Sequence, residues 1–214
     1  MTESSREPIV FVVDDDASIR TAMRRGLVAA GFTVRTFASA DAFLAAHDPD
    51  APGCLVADVA MPGMSGRELQ SVLAARGAAR PIIFVTARGS IPMSVQAMRA
   101  GAVTFLPKPV RLGDLLAAVL EAFERDRQRR RADAQRNDVE TRLMALTTRE
   151  REVLELIVIG RLNKQIAAEL GAAEKTIKVH RGRVMAKLQV RSVAELVTLT
   201  AQVVKRPDSR TSAV

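Results

Sequence analysis

Four polar side chains in the first half of the chain follow short apolar runs. These side chains are Asp14, Asp58, Thr86 and Lys108, and the runs before them are Ile9–Val13, Cys54–Ala57, Pro81–Val85 and Val103–Leu106. Runs of this length, rich in β-branched residues, are typical of strands buried on both faces of a sheet. Because ligands bind at the carboxyl edge of the strands in open α/β sheets, we expect the four side chains to meet at that edge.

The carboxylates at this edge would repel each other unless a cation compensates their charge. Asp15 follows Asp14 directly, so at least three acids meet there together with Asp58. One such pair at ~4 Å would cost about 4 kcal/mol at an effective dielectric of about 20. A hard divalent cation fits such oxygen ligands, and Mg²⁺ is preferred when phosphate is the other partner. Asp58 could then act as a nucleophile toward a phosphoryl group, with Lys108 neutralising one phosphoryl oxygen and Thr86 donating to another.

Helical spacing of apolar residues separates these strands. Helices are predicted at Ala17–Ala30, Ala40–His47, Ser65–Arg76, Ile91–Ala100 and from about Arg111, with one further strand at Phe32–Phe37. Ser65 is placed to cap its helix, and Glu68 stands three residues later, which is the spacing of a capping box. The alternation predicts an α/β fold, a doubly wound five-stranded parallel sheet with helices on both faces.

Charge divides the chain into two unlike parts. Residues 1–120 carry 12 Lys and Arg against 11 Asp and Glu, whereas residues 121–214 carry 20 against 13, so the second part holds +7 of the net charge of +8. A basic part beside a nearly neutral one favours a polyanionic partner. Aromatic residues make up 3% of the chain, with no Trp and no Tyr. Stacking platforms for RNA or single strands are therefore not expected, and duplex DNA is the better candidate.

The remaining composition favours a cytoplasmic protein. No apolar run approaches the ~20 residues that a membrane helix needs. The first residues contain no apolar segment of a signal peptide. The single cysteine, Cys54, excludes an internal disulfide and is expected to be a small buried hydrophobe.

A charged segment joins the two parts. Residues 121–142 contain no Gly and no Pro and are dense in Arg and acids. We expect the last helix of the first part to continue through this segment, exposed to solvent beyond about residue 126 and stabilised by i,i+4 pairs such as Glu121–Arg125. A flexible linker is the alternative.

The second half contains four helical patterns separated by turns. Helices are predicted from an N-cap at Thr148 to Gly160, over Lys164–Leu170 with Asn163 as N-cap, over Glu174–Leu188 and over Ser192–Val203. Two short helices joined by a Gly turn, the second of them basic, are typical of a helix-turn-helix. The exposed face of that second helix would carry Lys175, Lys178, Arg181 and Arg183. A generic small helical bundle is the alternative.

The first half resembles a two-component receiver domain. The motifs V-V-D-D-D, D-V-A-M-P-G-M-S-G, V-T-A and F-L-P-K-P occur in that order and together cover nearly all of residues 8–123. The resemblance implies a flavodoxin-like fold with Asp58 as the phospho-acceptor and Asp16 as a peripheral acid. It implies these Mg²⁺ ligands: Asp14, Asp15, Asp58 and the backbone carbonyl of Ala60. It also implies a shift between pre-existing states on phosphorylation, with these switch residues: Thr86, Phe105 and Lys108.

The second half resembles the LuxR-type DNA-binding domain over roughly residues 143–203. The matching stretches are L-T-T-R-E-R-E-V-L, G-R-L-N-K-Q-I-A-A-E-L-G and T-I-K-V-H-R. The resemblance implies these DNA contacts: Lys178 and Val179 in the major groove, and Lys164, Thr176, His180 and Arg181 near phosphates. Gly182 departs from the pattern, because a longer side chain often contacts DNA there in relatives. Either the backbone approaches DNA closely at Gly182, or one contact is missing.

Joined, the two halves resemble a response regulator of the FixJ/NarL class, on the FixJ side. The resemblance implies a receiver domain over 1–123 and a helix-turn-helix domain over 143–204. Composition predicts the charged helical linker over 124–142 and a disordered tail over 205–214, which is polar and contains Pro and Ser. It implies a phosphorylation-dependent transcription regulator, not an enzyme beyond its own phosphorylation and dephosphorylation. A histidine kinase would be its partner, and a phosphorylated homodimer would bind an inverted repeat in duplex DNA.

Two other functions remain open from the residues. An enzyme, either a phosphoaspartate phosphatase or a phosphorelay carrier, would make the basic half incidental and would turn over an external substrate. A non-specific architectural protein would bind every duplex equally, with an affinity that falls steeply with salt. The second alternative leaves the acidic cluster unexplained.

Overall fold

The computed structural model describes residues 6–78, 80–87, 98 and 101–204, except for the side chains of residues 202–204. The chain divides into two units, residues 1–130 and 131–214. The predicted helix Ile91–Ala100, apart from Met98, and the predicted disordered tail 205–214 lie outside the described residues.

The first unit contains a parallel five-stranded sheet. Its strands are β1 (Ile9–Val13), β2 (Thr33–Phe37), β3 (Gly53–Asp58), β4 (Ile82–Thr86) and β5 (Thr104–Pro107), in the order β2-β1-β3-β4-β5. Each neighbouring pair is parallel. This doubly wound order has its switch point beside β1 and β3. The predicted fold class is confirmed.

Four helices of the described residues begin in the first unit: α1 (Ala17–Ala29), α2 (Ala40–Ala45), α3 (Gly66–Ala75) and α4 (Leu112–Met144). The predicted capping box precedes α3. The N–H of Glu68 donates to Oγ of Ser65 at 3.3 Å, and the N–H of Ser65 donates to Oε2 of Glu68 at 2.8 Å. This reciprocal pair satisfies two N–H groups that the first helical turn leaves free, and it fixes where α3 starts after the loop that follows Asp58.

The alternation of side chains along the strands divides the core of the first unit into two layers. Phe11, Leu55 and Phe84 pack in one layer with residues of α2 and α3. Their strand neighbours, such as Val12 and Val56, pack in the other layer with residues of α1 and α4. Because successive strand residues point to opposite faces, continuous apolar runs are needed to fill both layers. The apolar runs of β1, β3 and β4 therefore fill both layers up to the edge where the polar residues begin.

Helix α4 is anchored to the loop before β3 by a buried carboxylate. Asp126 is 2% exposed and accepts hydrogen bonds from the N–H of Gly53 at 2.9 Å, from Arg129 at 2.8 Å and from Nε of Arg130 at 2.7 Å. Arg130 also donates to the carbonyl oxygens of residues 49–51. The helical continuation through the charged segment and the Glu121–Arg125 pair, at 2.7 Å, are present. The expected exposure beyond about residue 126 holds at most positions. Asp126 and Arg130 depart from it, because they hydrogen-bond to backbone groups of residues 49–51 and 53.

Up to residue 204, where the described part of the second unit ends, four helices follow α4: α5 (Thr148–Val158), α6 (Asn163–Glu169), α7 (Glu174–Leu188) and α8 (Val193–Val204). Their buried residues form one core, which includes Val153, Ile157, Ile166, Ile177, Val184, Leu188 and Leu196. Among the described residues, no helix is both long and apolar enough to cross a membrane.

Two predicted N-caps in the second unit are wrong by one residue. Thr147, not Thr148, caps α5, because its hydroxyl oxygen accepts from the N–H of Glu150 while Glu150 accepts from the N–H of Thr147. Asn163 is the first residue of α6 rather than its cap, and Leu162 precedes it without a side-chain cap. The Asn163 side chain accepts instead from Nη1 of Arg181 at 3.1 Å.

Candidate functional site

The polar residues at the strand ends come together at the carboxyl edge of the sheet. Asp58 ends β3 and Thr86 ends β4, while Asp14 and Lys108 directly follow β1 and β5. One carboxylate oxygen from each of Asp14, Asp15 and Asp58 lies within 4.8 Å of the others. Asp14 and Asp58 are buried, and Asp15 is exposed. The predicted convergence of acids from β1 and β3 is therefore present in the structure.

Lys108 pairs with two of these acids at once. Its Nζ lies 2.6 Å from Oδ2 of Asp58 and 2.7 Å from Oδ2 of Asp14, and its side chain is 13% exposed. Burial lowers the pKa of Lys108, but hydrogen bonds with Asp14 and Asp58 outweigh that effect and raise the pKa above its ordinary value. The ammonium group stays charged and offsets the repulsion between two buried carboxylates.

The loop after Asp58 fits tightly around it. The N–H of Ala60 donates to Oδ1 of Asp58 at 3.2 Å. A Cβ atom at Gly66, the first residue of α3, would lie 2.3 Å from the carbonyl oxygen of Asp58 and 3.2 Å from the Phe84 ring. Only a glycine lets the start of α3 approach β3 so closely. The role of the Ala60 carbonyl as a metal ligand stays a prediction.

The loop after β1 orients Asp14 and places Asp16 as the N-cap of α1. Oδ1 of Asp14 accepts from the N–H of Asp16 at 2.9 Å, and Nη1 of Arg20 donates to the Asp14 carbonyl at 2.6 Å. The Asp16 side chain caps α1, because it accepts from the N–H groups of Ser18 and Ile19. The hydrogen bonds from Ile19 and Ser18 hold the pKa of Asp16 below its ordinary value. Asp16 is occupied as a helix cap.

The donor set at this edge fits Mg²⁺. Asp14, Asp15 and Asp58 supply only hard carboxylate oxygens, the ligand type that Mg²⁺ prefers. These three residues would hold the ion. When bound, it would neutralise carboxylates and phosphoryl oxygens.

The predicted switch residues lie on β4 and at or directly after β5. Thr86 is 5% exposed, and its carbonyl oxygen accepts from the N–H of Lys108 at 2.9 Å. The ring of Phe105 is half-buried, with its centroid 5.0 Å from that of Phe84. Phe84 also contacts the point where α3 begins. Thr86, Lys108 and Phe105 therefore belong to one connected group of contacts around β4 and β5.

The second unit presents the predicted DNA-contacting residues on and beside α7. Those that are exposed are Lys164, Lys175, Thr176, Lys178, Val179 and Arg183. His180 and Arg181 are half-buried, and Arg181 donates to Asn163 on α6. The exposed face of α7 is therefore basic, while Arg181 links it to the preceding helix.

An ion pair with a buried carboxylate holds α7 against the start of α5. Glu150 is 2% exposed, and Nζ of Lys187 lies 2.6 Å from its Oε2 and 3.0 Å from the Ala145 carbonyl. The hydrogen bond from Lys187, followed by that from the N–H of Thr147, lowers the pKa of Glu150 from 4.5 to about 2. Glu150 thus completes a helix cap and positions α7 with the same carboxylate.

Comparison with protein families assigns both units. The family "Response regulator receiver domain" matches residues 10–120, and "Bacterial regulatory proteins, luxR family" matches residues 144–200. The chain belongs to the FixJ-like response regulators. This family combines a receiver with a LuxR-type DNA-binding domain. Its members are transcription regulators, not metabolic enzymes.

Relatives match this response regulator over nearly its whole length. Nodulation protein W of Bradyrhizobium diazoefficiens is 46% identical over 199 residues, which is 93% of this chain and 88% of the relative. The transcriptional regulatory protein FixJ of Azorhizobium caulinodans is 42% identical over 190 residues, 89% of this chain and 90% of the relative.

Two solved structures resemble the response regulator over both units. The response regulator StyR is 50% identical with a TM-score of 0.81, and the match covers 92% of this chain and 99% of that one. Full-length FixJ from B. japonicum is 37% identical with a TM-score of 0.57, and the match covers 95% of this chain and all (100%) of that one.

Sequence reasoning missed two residues that shape the site of this response regulator. Arg20 was read only as part of a helix, because nothing in its spacing indicates that it reaches back to the Asp14 carbonyl. The sequence places Gly66 in the motif after Asp58 and in the predicted helix Ser65–Arg76, but it does not show that the missing side chain lets α3 contact the Asp58 backbone. A glycine at the first position of a helix, next to a Ser cap, is the one signal that pointed to a close approach.

Proposed function

We propose that Asp58 accepts a phosphoryl group from a partner histidine kinase and that this modification controls DNA binding by the second unit. The observation that carries the proposal is the cluster of Asp14, Asp15 and Asp58, with Lys108 2.6 Å from Asp58, in a chain whose second family match is a DNA-binding domain. The same chain would dimerise on phosphorylation and bind an inverted repeat in duplex DNA.

The transfer itself requires little from the protein beyond positioning and charge. A carboxylate oxygen of Asp58 attacks phosphorus, the bond from phosphorus to the donor's histidine nitrogen breaks, and that nitrogen keeps the electron pair. The Lys108 ammonium is already 2.6 Å from Asp58 and would move onto a phosphoryl oxygen. The Thr86 hydroxyl would donate to another oxygen. Arg20 keeps the Asp14 carbonyl in place while charge develops next to it.

Phosphorylation would change the charge balance around β3 and β5. The modification adds about −1.5 to −2 charges, so Lys108 would exchange its carboxylate partners for phosphoryl oxygens. Because Lys108 is hydrogen-bonded to Thr86 through the backbone and Phe105 packs on Phe84, the movement would reach the surface of β4 and β5. A population shift between two states of these residues is the proposed switch.

The proposed assignment of the second unit follows the exposed face of α7. Lys178 and Val179 would enter the major groove, and the remaining contacts would be to phosphates from Lys164, Thr176, His180, Arg181 and Arg183. We propose domain limits of 1–123 for the receiver, 124–142 for the linker and 143–204 for the DNA-binding domain.

Labelling with a small phosphodonor tests the acceptor. The full chain would be incubated with acetyl phosphate and Mg²⁺ and its intact mass recorded. We expect one phosphoryl group on the wild type and on Asp50→Asn, an exposed acid outside the cluster, and none on Asp58→Ala. Asp15→Asn should lose the Mg²⁺ dependence of labelling. A label that survives in Asp58→Ala would place the acceptor elsewhere.

Sedimentation velocity tests the proposed dimer. The wild-type chain at micromolar concentration would be measured under two conditions, with Mg²⁺ alone and with Mg²⁺ plus beryllofluoride, a phosphoryl mimic. A change from monomer to dimer in the wild type but not in Asp58→Ala is expected. An unchanged mass in the wild type would refute dimerisation as the step that phosphorylation controls. Sustained turnover of an external phosphodonor without any effect on DNA binding would favour the phosphatase alternative.

A further inference from the structure

Gly182 lies in the middle of α7 for no reason that folding supplies. The helix runs from Glu174 to Leu188, and Gly182 does not have a positive φ. A Cβ atom at this position would meet no other described atom within 4 Å. A glycine inside a helix is less stable than an alanine. Neither turn geometry nor packing within the described residues therefore explains the glycine.

Val179 lies one helical turn before Gly182 and is also unusual for its surface. It is apolar, 49% exposed and on the same face as Lys178 and Gly182. A valine cannot hydrogen-bond to a base, and it adds apolar surface to an otherwise basic face. The apolar feature of the major groove is the C5-methyl group of thymine. Val179 is therefore matched chemically to a thymine rather than to a phosphate or a guanine.

We propose that Gly182 is a specificity-determining residue whose bare backbone lets α7 approach the floor of the major groove, which brings Val179 into contact with a thymine methyl group. This inference rests on the proposed DNA-binding function and adds to it the base that is recognised and the residue that permits the contact. Lys178, adjacent to Val179, supplies the polar contact on the same face.

The first test uses the wild-type chain and removes only the methyl group. A preferred duplex would be selected from a random pool by the full chain with Mg²⁺ and beryllofluoride, and each thymine would then be replaced by deoxyuridine. We expect replacement of one particular thymine, at the same position in each half-site, to weaken binding by about fourfold, because one methyl-sized apolar contact is lost. Val179→Ala should bind the thymine and uracil duplexes equally. No uracil-sensitive position would overturn the inference.

The second test separates folding from recognition, because the substitution should raise stability and lower DNA affinity. Gly182→Ala should raise the urea midpoint of unfolding, because alanine favours the helix, and should weaken binding to the selected duplex at least tenfold without a matching loss on random duplex. The control is Gly113→Ala in α4, where a Cβ also meets nothing within 4 Å; it should leave DNA affinity unchanged.

Three further outcomes would overturn the inference. Equal or tighter binding by Gly182→Ala would mean that the glycine only marks a missing contact. An equal loss of affinity for selected and random duplexes would mean that Gly182 lets the helix approach any DNA and does not contribute to specificity. A wild-type chain that enriches no sequence would overturn the proposed function and this inference with it, whereas selective wild-type binding with unchanged Gly182→Ala affinity would overturn this inference alone.

Discussion

The Nζ atom of Lys108 lies 2.6 Å from Oδ2 of Asp58 and 2.7 Å from Oδ2 of Asp14, so one ammonium group joins carboxylates that follow two neighbouring strands. The two acids are buried, and an uncompensated pair at ~4 Å would cost about 4 kcal/mol at an effective dielectric of about 20. Lys108 therefore supplies a cation that a metal ion or a phosphoryl group must displace or redirect.

Replacing Lys108 should strengthen metal binding. In Lys108→Met the ammonium no longer competes for Asp14 and Asp58, so Mg²⁺ should bind about tenfold more tightly, or ~1.4 kcal/mol. Isothermal titration of the full chain with Mg²⁺ would measure this change. Arg111→Met, which removes an exposed positive charge from the same unit, should change little. Weaker Mg²⁺ binding in Lys108→Met would show that Lys108 organises the acids rather than competing for them.

A methyl group at Gly66 should disturb the site from its backbone side. In Gly66→Ala the new Cβ would lie 2.3 Å from the Asp58 carbonyl, and overpacking of this kind costs about 1–3 kcal/mol. We expect lower stability in urea, followed by circular dichroism, and at least tenfold slower labelling by acetyl phosphate. Gly113→Ala, at an open helical position, is the matched control. Labelling at the wild-type rate would show that α3 can move away without affecting Asp58.

The sheet and its polar edge could be predicted because each strand combines a continuous apolar run with a polar residue at its end. Asp58 illustrates this: burial of β3 on both faces requires the run, and the break after Asp58 locates the edge. Cap positions were less certain, because Thr147 and Thr148 are adjacent and either could begin α5. Only the position of Glu150 relative to Thr147 decides between them.

Contacts between distant parts of the chain could not be predicted. Asp126 and Gly53 are 73 residues apart, and no periodicity connects a carboxylate in a charged helix with the N–H of the first residue of β3. The charge run around Arg130 has the composition of a solvated face, yet the structure pairs it with the loop before β3. Arg20 escaped notice for a different reason: its partner, six residues away, is the backbone carbonyl of Asp14, which no side-chain pattern indicates.

The ion pairs of Asp126 should stabilise the first unit. Burial raises the pKa of Asp126, but hydrogen bonds from Arg129, Gly53 and Arg130 outweigh that effect and lower the pKa. Asp126→Asn retains an acceptor for Gly53 but loses the charge, so we expect a loss of about 2 kcal/mol and faster hydrogen exchange in residues 48–53. Glu121→Gln, in an exposed pair with Arg125, should cost at most about 0.5 kcal/mol. Similar small effects in both variants would contradict the anchoring role.

The second unit should lose stability in acid through Glu150. Its pKa is about 2 in the folded chain against an ordinary 4.5, so the stabilisation is complete above pH 4.5 and is lost as the pH falls from 4.5 toward 2. Glu150→Gln should melt at a lower temperature at pH 7 and show a shallower loss over that window. The chain has no Trp and no Tyr, so far-UV circular dichroism is the suitable probe. Glu155→Gln, exposed on the same helix, should match the wild type; parallel pH profiles for all three chains would refute the assignment.

Lys178 should contribute to sequence recognition rather than to general attraction. Lys178→Ala should weaken binding to a selected duplex by about 1–3 kcal/mol and should have a much smaller effect on random duplex. Titrations at several salt concentrations would separate the two contributions, since a phosphate contact would lower the salt slope by about 1. An equal loss on both duplexes would assign Lys178 to a phosphate.

The central claim is that chemistry at Asp58 controls DNA binding, and the most direct measurement is the affinity of the full chain for a selected duplex with and without beryllofluoride in Mg²⁺. Fluorescence anisotropy of a labelled duplex would give both dissociation constants. We expect the mimic to tighten binding at least tenfold for the wild type and to leave Asp58→Ala unchanged. The same affinity in both conditions for the wild type, or an equal gain in Asp58→Ala, would contradict the account.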